Sequence, residues 1–103
     1  MTTITHTQRG NRHTLTAVGH AGYALAGQDV VCAAVSTLLC TLNDCLRTAY
    51  DREQIEHFLA IMGSGDTRIC WEETGNTGVW ETVKTGLVLV AGHYPAYVRY
   101  EEG

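Results

Sequence analysis

The chain has 103 residues, of which 45% are hydrophobic and 17% are charged, so we expect one packed domain spanning residues 1–103. The formal net charge of −4 and the pI of about 5.6 leave no basic footprint for phosphate contacts, which argues against nucleic acid and suits a basic peptide better. No uninterrupted apolar run reaches the roughly 18 residues of a membrane span, so we expect no membrane partner. Residues 1–10 lack the pattern of a signal peptide. We therefore expect a cytoplasmic location, where thiols stay reduced.

The first half of the chain predicts a hairpin, a loop and a helix. Residues 3–7 and 12–18 are rich in β-branched side chains and flank the turn-forming sequence QRGN, which is typical of a β-hairpin. Residues 19–28 contain three glycines and predict a mobile loop. Asp29 is a good N-cap, and apolar residues recur after it at three- and four-residue steps, which predicts a helix of about twenty residues.

The second half of the chain predicts a second hairpin, a second helix and a last strand. Residues 55–62 and 67–72 predict two strands joined by the turn GSGD. An apolar stripe that begins at Val79 and ends before Pro95 predicts a second helix, and residues 96–100 predict a last short strand. The order ββαββαβ favours an α+β fold, in which two helices cover a mixed or antiparallel sheet.

The cysteines fit neither a disulfide framework nor a zinc site, because we expect a reducing location and no C-x-x-C spacing occurs. Cys40, Cys45 and Cys70 are interpreted as small core residues, since free cysteine is often buried. The histidines outside the loop show no metal-ligand spacing, and we expect neither a metal nor an organic cofactor. They are interpreted as surface or strand residues: His6, His13, His57 and His93.

The stretch GHAGYALAGQDVVCAAVS, residues 19–36, places His20 and Cys32 twelve positions apart across the glycine-rich loop. Cys32 falls in the first predicted helical turn, where unpaired N–H groups and the helix dipole favour negative charge. A free thiol is only a few per cent ionised at neutral pH, so a thiolate nucleophile would also need a protonated imidazole, for which His20 is the candidate. The N–H groups of Val31 and Cys32 could hold the oxyanion formed by attack on a peptide carbonyl. The plainer alternative is a packed cysteine and a turn histidine.

Three neighbouring side chains have two interpretations each. Asp29 either caps the helix with its carboxylate held aside, or orients His20 as the third member of a catalytic group. Ser36, one turn beyond Cys32, either lines the cleft or bonds a helix carbonyl. Tyr23 either covers a bound peptide or anchors the loop.

The segment from Gly19 to Ser36 resembles the signature of the ribosomal-processing cysteine proteases, the Prp family. It contains Gly-His-Ala, a short loop, Gly-x-Asp, a hydrophobic pair and Cys-Ala-Ala-Val-Ser. The tail GHYPAYVRY resembles the family's ending, and the resemblance covers nearly the whole chain. It implies a cysteine endopeptidase in which Cys32 is the nucleophile and His20 the base, with Asp29 and Ser36 in supporting positions.

The resemblance also implies a substrate and a quaternary state. Members of this family remove an N-terminal extension from a large-subunit ribosomal protein, form homodimers and move a loop to admit the peptide. A more charged hairpin is expected in the family where this chain has Trp71 and several glycines, which leaves the substrate's identity open. The alternatives are a non-catalytic homologue that binds a ribosomal or phage protein tail, and a redox-sensing thiol protein. The residues assigned to the substrate-binding loop are Gly19, Ala21, Gly22, Tyr23 and Gly27.

Overall fold

The computed structural model describes residues 1–103 and contains the seven elements in the predicted order. The α+β class, with a mixed sheet and two helices, is confirmed. The last strand begins at Val98 rather than at residue 96, because the N–H groups of Tyr97 and Val98 both donate to the carbonyl of Tyr94 and form a turn. The elements are β1 (Thr2–Arg9), β2 (Arg12–Val18), α1 (Val30–Asp51), β3 (Ile55–Gly63), β4 (Asp66–Glu73), α2 (Val79–His93) and β5 (Val98–Glu102).

The five strands form one sheet in the order β3-β4-β2-β1-β5. All neighbours are antiparallel except β1 and β5, which are parallel. The β1–β2 and β3–β4 hairpins turn through Gly10 and Gly65, whose φ values of 61° and 68° lie in the left-handed region that glycine adopts at no steric cost. Asp66 pairs with Val18, so the β3–β4 turn lies beside the residues that follow β2.

The core lies between the two helices and one face of the sheet. Alternate side chains of the central strands are buried, as the two-residue period of a strand requires, and Ile4, Leu15 and Ile69 are completely inaccessible. Trp80 and Leu87 of α2 complete the same cluster. The apolar face of α1 repeats at three- and four-residue steps and consists of Val31, Val35, Leu39, Leu42, Leu46 and Ala49.

By length and composition α1 is able to cross a membrane, with a mean hydropathy of 1.4 over its most apolar 18 residues, contrary to our expectation that no segment would do so. Core helices of soluble proteins pass the same test. In this fold, one side of α1 packs on the sheet.

Two of the three cysteines expected in the core are exposed. Cys40 and Cys45 lie on the outer side of α1, and Cys70 on β4 is half-buried, so the core assignment was wrong. The reason is helical phase, since Leu39 and Leu46 hold the buried positions next to these two cysteines and the 100° step per residue turns Cys40 and Cys45 outward.

His6 and His13 are strand residues, as predicted, and both are buried. His6 Nε2 lies 2.9 Å from His13 Nδ1, and His6 Nδ1 lies 2.8 Å from Glu102 Oε2. The His13 ring stacks on Trp71 with centroids 4.6 Å apart, and the His6 ring lies 4.4 Å from that of Trp80. A hydrogen-bonded polar chain therefore runs from the two buried histidines, which pack against aromatic rings, to Glu102 at the surface.

Candidate active site

The start of α1 is fixed by Asp29. Its Oδ1 accepts a hydrogen bond from the N–H of Cys32 over 2.9 Å, and its main-chain carbonyl accepts from the N–H of Ala33 over 3.0 Å. This is the geometry of an N-cap, which the sequence predicted. Cys32 is half-buried in the first turn of the helix and packs against the core.

The second carboxylate oxygen of Asp29 ties the loop to the helix. Oδ2 accepts hydrogen bonds from the N–H groups of Tyr23, at 3.0 Å, and Ala24, at 3.4 Å. The hydrogen bond from the Cys32 N–H has the largest effect in lowering the pKa of Asp29 below its ordinary value, and the bonds from the two loop N–H groups lower it further. The Asp29 carboxylate thus contacts main-chain donors on both sides, and no hydrogen bond joins it to the ring of His20.

The N–H of Cys32 is not free at the helix start, because it donates to Asp29 Oδ1 over 2.9 Å. An oxyanion held by the Cys32 N–H therefore does not fit this geometry unless Asp29 moves. The role expected for the Val31 N–H stays a prediction.

The main chain that precedes His20 is clamped on two sides. The N–H of Gly19 donates to the carbonyl of Gly65 over 2.9 Å, and the hydroxyl of Thr2 donates to the carbonyl of Gly19 over 3.2 Å. Gly19 has φ 93°, and a β-carbon there would lie 2.3 Å from the carbonyl oxygen of Met1, so only glycine fits. His20 itself is exposed.

His20 and Cys32 line the same cleft, which has a volume of about 610 Å³. A smaller adjoining cavity of about 110 Å³ is also lined by both residues. Ser36 lines both cavities, so the structure brings these three predicted site residues together. Of the loop glycines, Gly22 and Gly27 line the larger cleft, and Gly19 lines the smaller one.

The other two loop residues assigned from the sequence anchor the loop. Ala21 is 2% exposed and belongs to the core. The ring of Tyr23 makes edge-to-face contacts with Tyr94 and Tyr97, at centroid distances of 5.7 and 5.2 Å. Of the two interpretations of Tyr23, the anchoring contact is the one present here, and it joins the loop to the segment between α2 and β5.

Sequence reasoning missed the contribution of the β3–β4 turn. Ser64 lines both cavities, opposite the helix start, and Gly65 contacts the His20 ring. The sequence GSGD indicates a hairpin turn and nothing more. Its position beside the cleft results from the pairing of β4 with β2, which joins residues far apart in the chain.

One group of side chains away from the cleft has metal-ligand geometry. Glu56, His57 and Glu72 offer ligand atoms within 4.8 Å of one another on the surface of β3 and β4. Arg12 Nη2 already lies 3.3 Å from Glu72 Oε2. This group is remote in the sheet from His20 and Cys32, since β4 carries Glu72 at the end away from the β3–β4 turn.

Comparison with known proteins gives one family and several related folds. The family described as cysteine protease Prp matches residues 1–99. The essential ribosomal processing protease Prp from S. aureus, bound to a covalently linked product peptide, superposes over the full length of both chains with a TM-score of 0.80 at 19% identity. The same protease with a substrate peptide gives 0.68 at 16% identity, again over both full chains.

A further solved structure, SMU.848 from Streptococcus mutans, has a TM-score of 0.68 at 24% identity and covers 99% of this chain and 93% of its own. At these identities the structural matches establish a shared fold. No curated protein sequence matches this chain.

Proposed function

The chain belongs to the cysteine protease Prp family, and we propose that it is a ribosomal-processing endopeptidase with Cys32 as nucleophile and His20 as general base and acid. The observation that carries the proposal is that these two residues, far apart on the loop and the helix, line one cleft. Cys32 is half-buried and His20 exposed, which suits a nucleophile at the bottom of a cleft and a base at its rim.

In the proposed reaction, these two groups and water carry out the bond changes and proton transfers. His20 takes the proton of the Cys32 thiol, the sulfur attacks the peptide carbonyl, and His20 returns the proton to the leaving amine. The product of this half-reaction is a thioester between Cys32 and the N-terminal fragment. Water, deprotonated by His20, then attacks the thioester, releases the fragment as a carboxylate and restores the thiol.

The tetrahedral intermediates need hydrogen-bond donors for their oxyanion. Since the cap occupies the N–H of Cys32, the side chains available in the cleft are the hydroxyls of Ser36 and Ser64 and the amide of Gln28. Ser36 and Ser64 line both cavities that contain the proposed dyad, so these two hydroxyls are the nearer candidates.

The lining of the cleft indicates the kind of peptide it accepts. Several small apolar side chains leave room for a larger apolar side chain of the substrate before the cut bond. The net charge of −4 suits a substrate whose remaining part is basic, as ribosomal proteins are expected to be. These apolar lining residues are Ala24, Ala26, Val30 and Ala33.

The same proposal includes the substrate and setting implied by the family resemblance. The substrate is the N-terminal extension of a large-subunit ribosomal protein, processed in the cytoplasm by a homodimer of single-domain chains. The S. aureus protein of the same fold is a ribosomal processing protease, which supports the substrate class. Light scattering during size-exclusion chromatography measures the dimer directly.

The test is incubation with a peptide that spans the extension and the start of the mature ribosomal protein, followed by mass spectrometry. We expect a new N-terminus with the wild-type chain and none with Cys32→Ala or His20→Ala, both of which keep the native circular dichroism spectrum. Cleavage by Cys32→Ala would end the assignment of the nucleophile. Tight binding of the peptide by the wild-type chain without a new N-terminus would show a binding module instead.

A further inference from the structure

The imidazole of His20 rests against the main chain of Gly65. A β-carbon built on Gly65 would lie 2.7 Å from His20 Nε2, 3.0 Å from Cε1 and 3.2 Å from Cδ2. The distance to Nε2 is shorter than a carbon atom allows and the other two are tight, so the ring would have to shift to admit a β-carbon at position 65. The contact is made by the outer edge of the ring.

The same turn also holds the backbone that carries this ring. The carbonyl of Gly65 accepts the hydrogen bond from the N–H of Gly19, and the neighbouring residue Asp66 pairs with Val18 at the end of β2. One residue therefore fixes the main chain immediately before His20 and limits where its side chain can go. Ser64, its neighbour, lines both cavities next to His20 and Cys32.

We propose that Gly65 is a positioning residue for His20. The β3–β4 turn blocks one side of the imidazole and thereby keeps it over the cleft shared with Cys32. The inference rests on the proposed role of His20 in the reaction. A general base acts only when its ring nitrogen is within hydrogen-bond reach of the proton it takes, and misplacement by about 1 Å costs up to ~100-fold in rate. A larger residue at position 65 pushes the ring out of that reach.

The test compares two glycine-to-alanine variants that carry the same backbone strain. In Gly65→Ala the new methyl group meets His20, whereas in Gly10→Ala it meets nothing within 4 Å, although Gly10 has φ 61° and also lies in a hairpin turn. We expect kcat to fall by roughly 10- to 100-fold in Gly65→Ala, with KM within about twofold, and to stay near the wild-type value in Gly10→Ala. Gly65→Asn adds the same β-carbon in a residue that tolerates positive φ, and we expect it to behave like Gly65→Ala.

A second readout does not depend on activity. The ¹³Cε1 and imidazole ¹⁵N resonances of His20 should shift in Gly65→Ala and Gly65→Asn and remain unchanged in Gly10→Ala. Equal kcat and unchanged His20 resonances in a folded position-65 variant would overturn the proposal. If His20→Ala still cleaves the peptide, the proposed base is wrong, while the resonances still report whether Gly65 sets the ring position.

Discussion

The N–H of Cys32 donates a 2.9 Å hydrogen bond to Asp29 Oδ1, so the residue that caps α1 also occupies the main-chain donor nearest to the proposed nucleophile. The other Asp29 oxygen holds Tyr23 and Ala24 of the loop. A single carboxylate therefore connects the helix start, the loop and the position of the sulfur. This connection makes Asp29 a structural residue of the cleft in this conformation.

Removing the Asp29 carboxylate should loosen the loop more than it disturbs the rest of the fold. Asp29→Ala loses the acceptor for Cys32 and for the loop N–H groups, and we expect a lower Tm and faster proteolysis within residues 19–28. Asp29→Asn keeps a side-chain oxygen for the cap, so its Tm should fall less than that of Asp29→Ala. Thermal melts by circular dichroism and limited chymotrypsin digestion, which can cut after Tyr23 or Leu25, measure the two effects. Equal Tm values for the wild type and Asp29→Ala would show that the cap does not stabilise the domain.

Tyr23→Ala should release the loop without affecting the helix cap. An edge-to-face aromatic pair is worth about 0.5–1.5 kcal/mol, and Tyr23 makes one each with Tyr94 and Tyr97. Hydrogen–deuterium exchange should accelerate in residues 20–28 and remain unchanged in β1 and β2. Tyr23→Phe keeps both ring contacts and serves as the control. If the loop amides of Tyr23→Ala exchange at the wild-type rate, the aromatic contacts do not anchor the loop.

The order in which the cysteines are alkylated distinguishes an ionised thiol from one that is merely exposed. Cys40 and Cys45 are exposed and Cys32 is half-buried, so exposure alone predicts that Cys32 is alkylated more slowly than both of them. If His20 and the helix end favour the Cys32 thiolate, iodoacetamide at pH 6–7 should nevertheless modify Cys32 first. Peptide mapping by mass spectrometry gives the order, and His20→Ala should abolish the preference. Faster labelling of Cys40 and Cys45 in the wild-type chain would count against an activated thiol.

The burial of His13 predicts a domain that loses stability in acid. Burial lowers the pKa of His13 below 6.5, against the opposing effect of Glu73, so below pH 6.5 the unfolded chain binds a proton that the folded chain does not. Stability is therefore full above pH 6.5 and falls as the pH drops. Urea unfolding at pH 8, 6.5 and 5.5 should give progressively lower midpoints.

A second loss of stability is expected at lower pH. Burial raises the pKa of Glu102, but hydrogen bonds from Tyr100, His6 and Lys84 outweigh it and lower the pKa from 4.5 to about 2. A lowered carboxyl pKa stabilises the fold above pH 4.5, and this contribution is lost between pH 4.5 and 2. Glu102→Gln should remove this part of the pH dependence. A profile that is flat from pH 8 to 5.5 would contradict the His13 prediction.

Much of the local structure was readable from the sequence because it depends on neighbours in the chain. The two hairpins, the cap at Asp29 and the apolar period of α1 are set by turn chemistry and by the repeat of a helix, which involve residues at most a few positions apart. His20 and Cys32 lie twelve positions apart in one continuous motif, and this motif carried the family resemblance. The core prediction for Cys40 and Cys45 was wrong because helical phase, and not the general tendency of cysteine to be buried, decides their exposure.

Only the tertiary structure decided which distant segments complete the cleft. Pairing of β4 with β2 places Gly65 against His20, and the turn after α2 places Tyr94 and Tyr97 under the loop. Strand order and register are set by the burial of the whole sheet under two helices, a collective property that no short segment encodes. The sequence by itself determined the reactive groups and the elements that carry them, whereas the packing of the sheet determined what surrounds them.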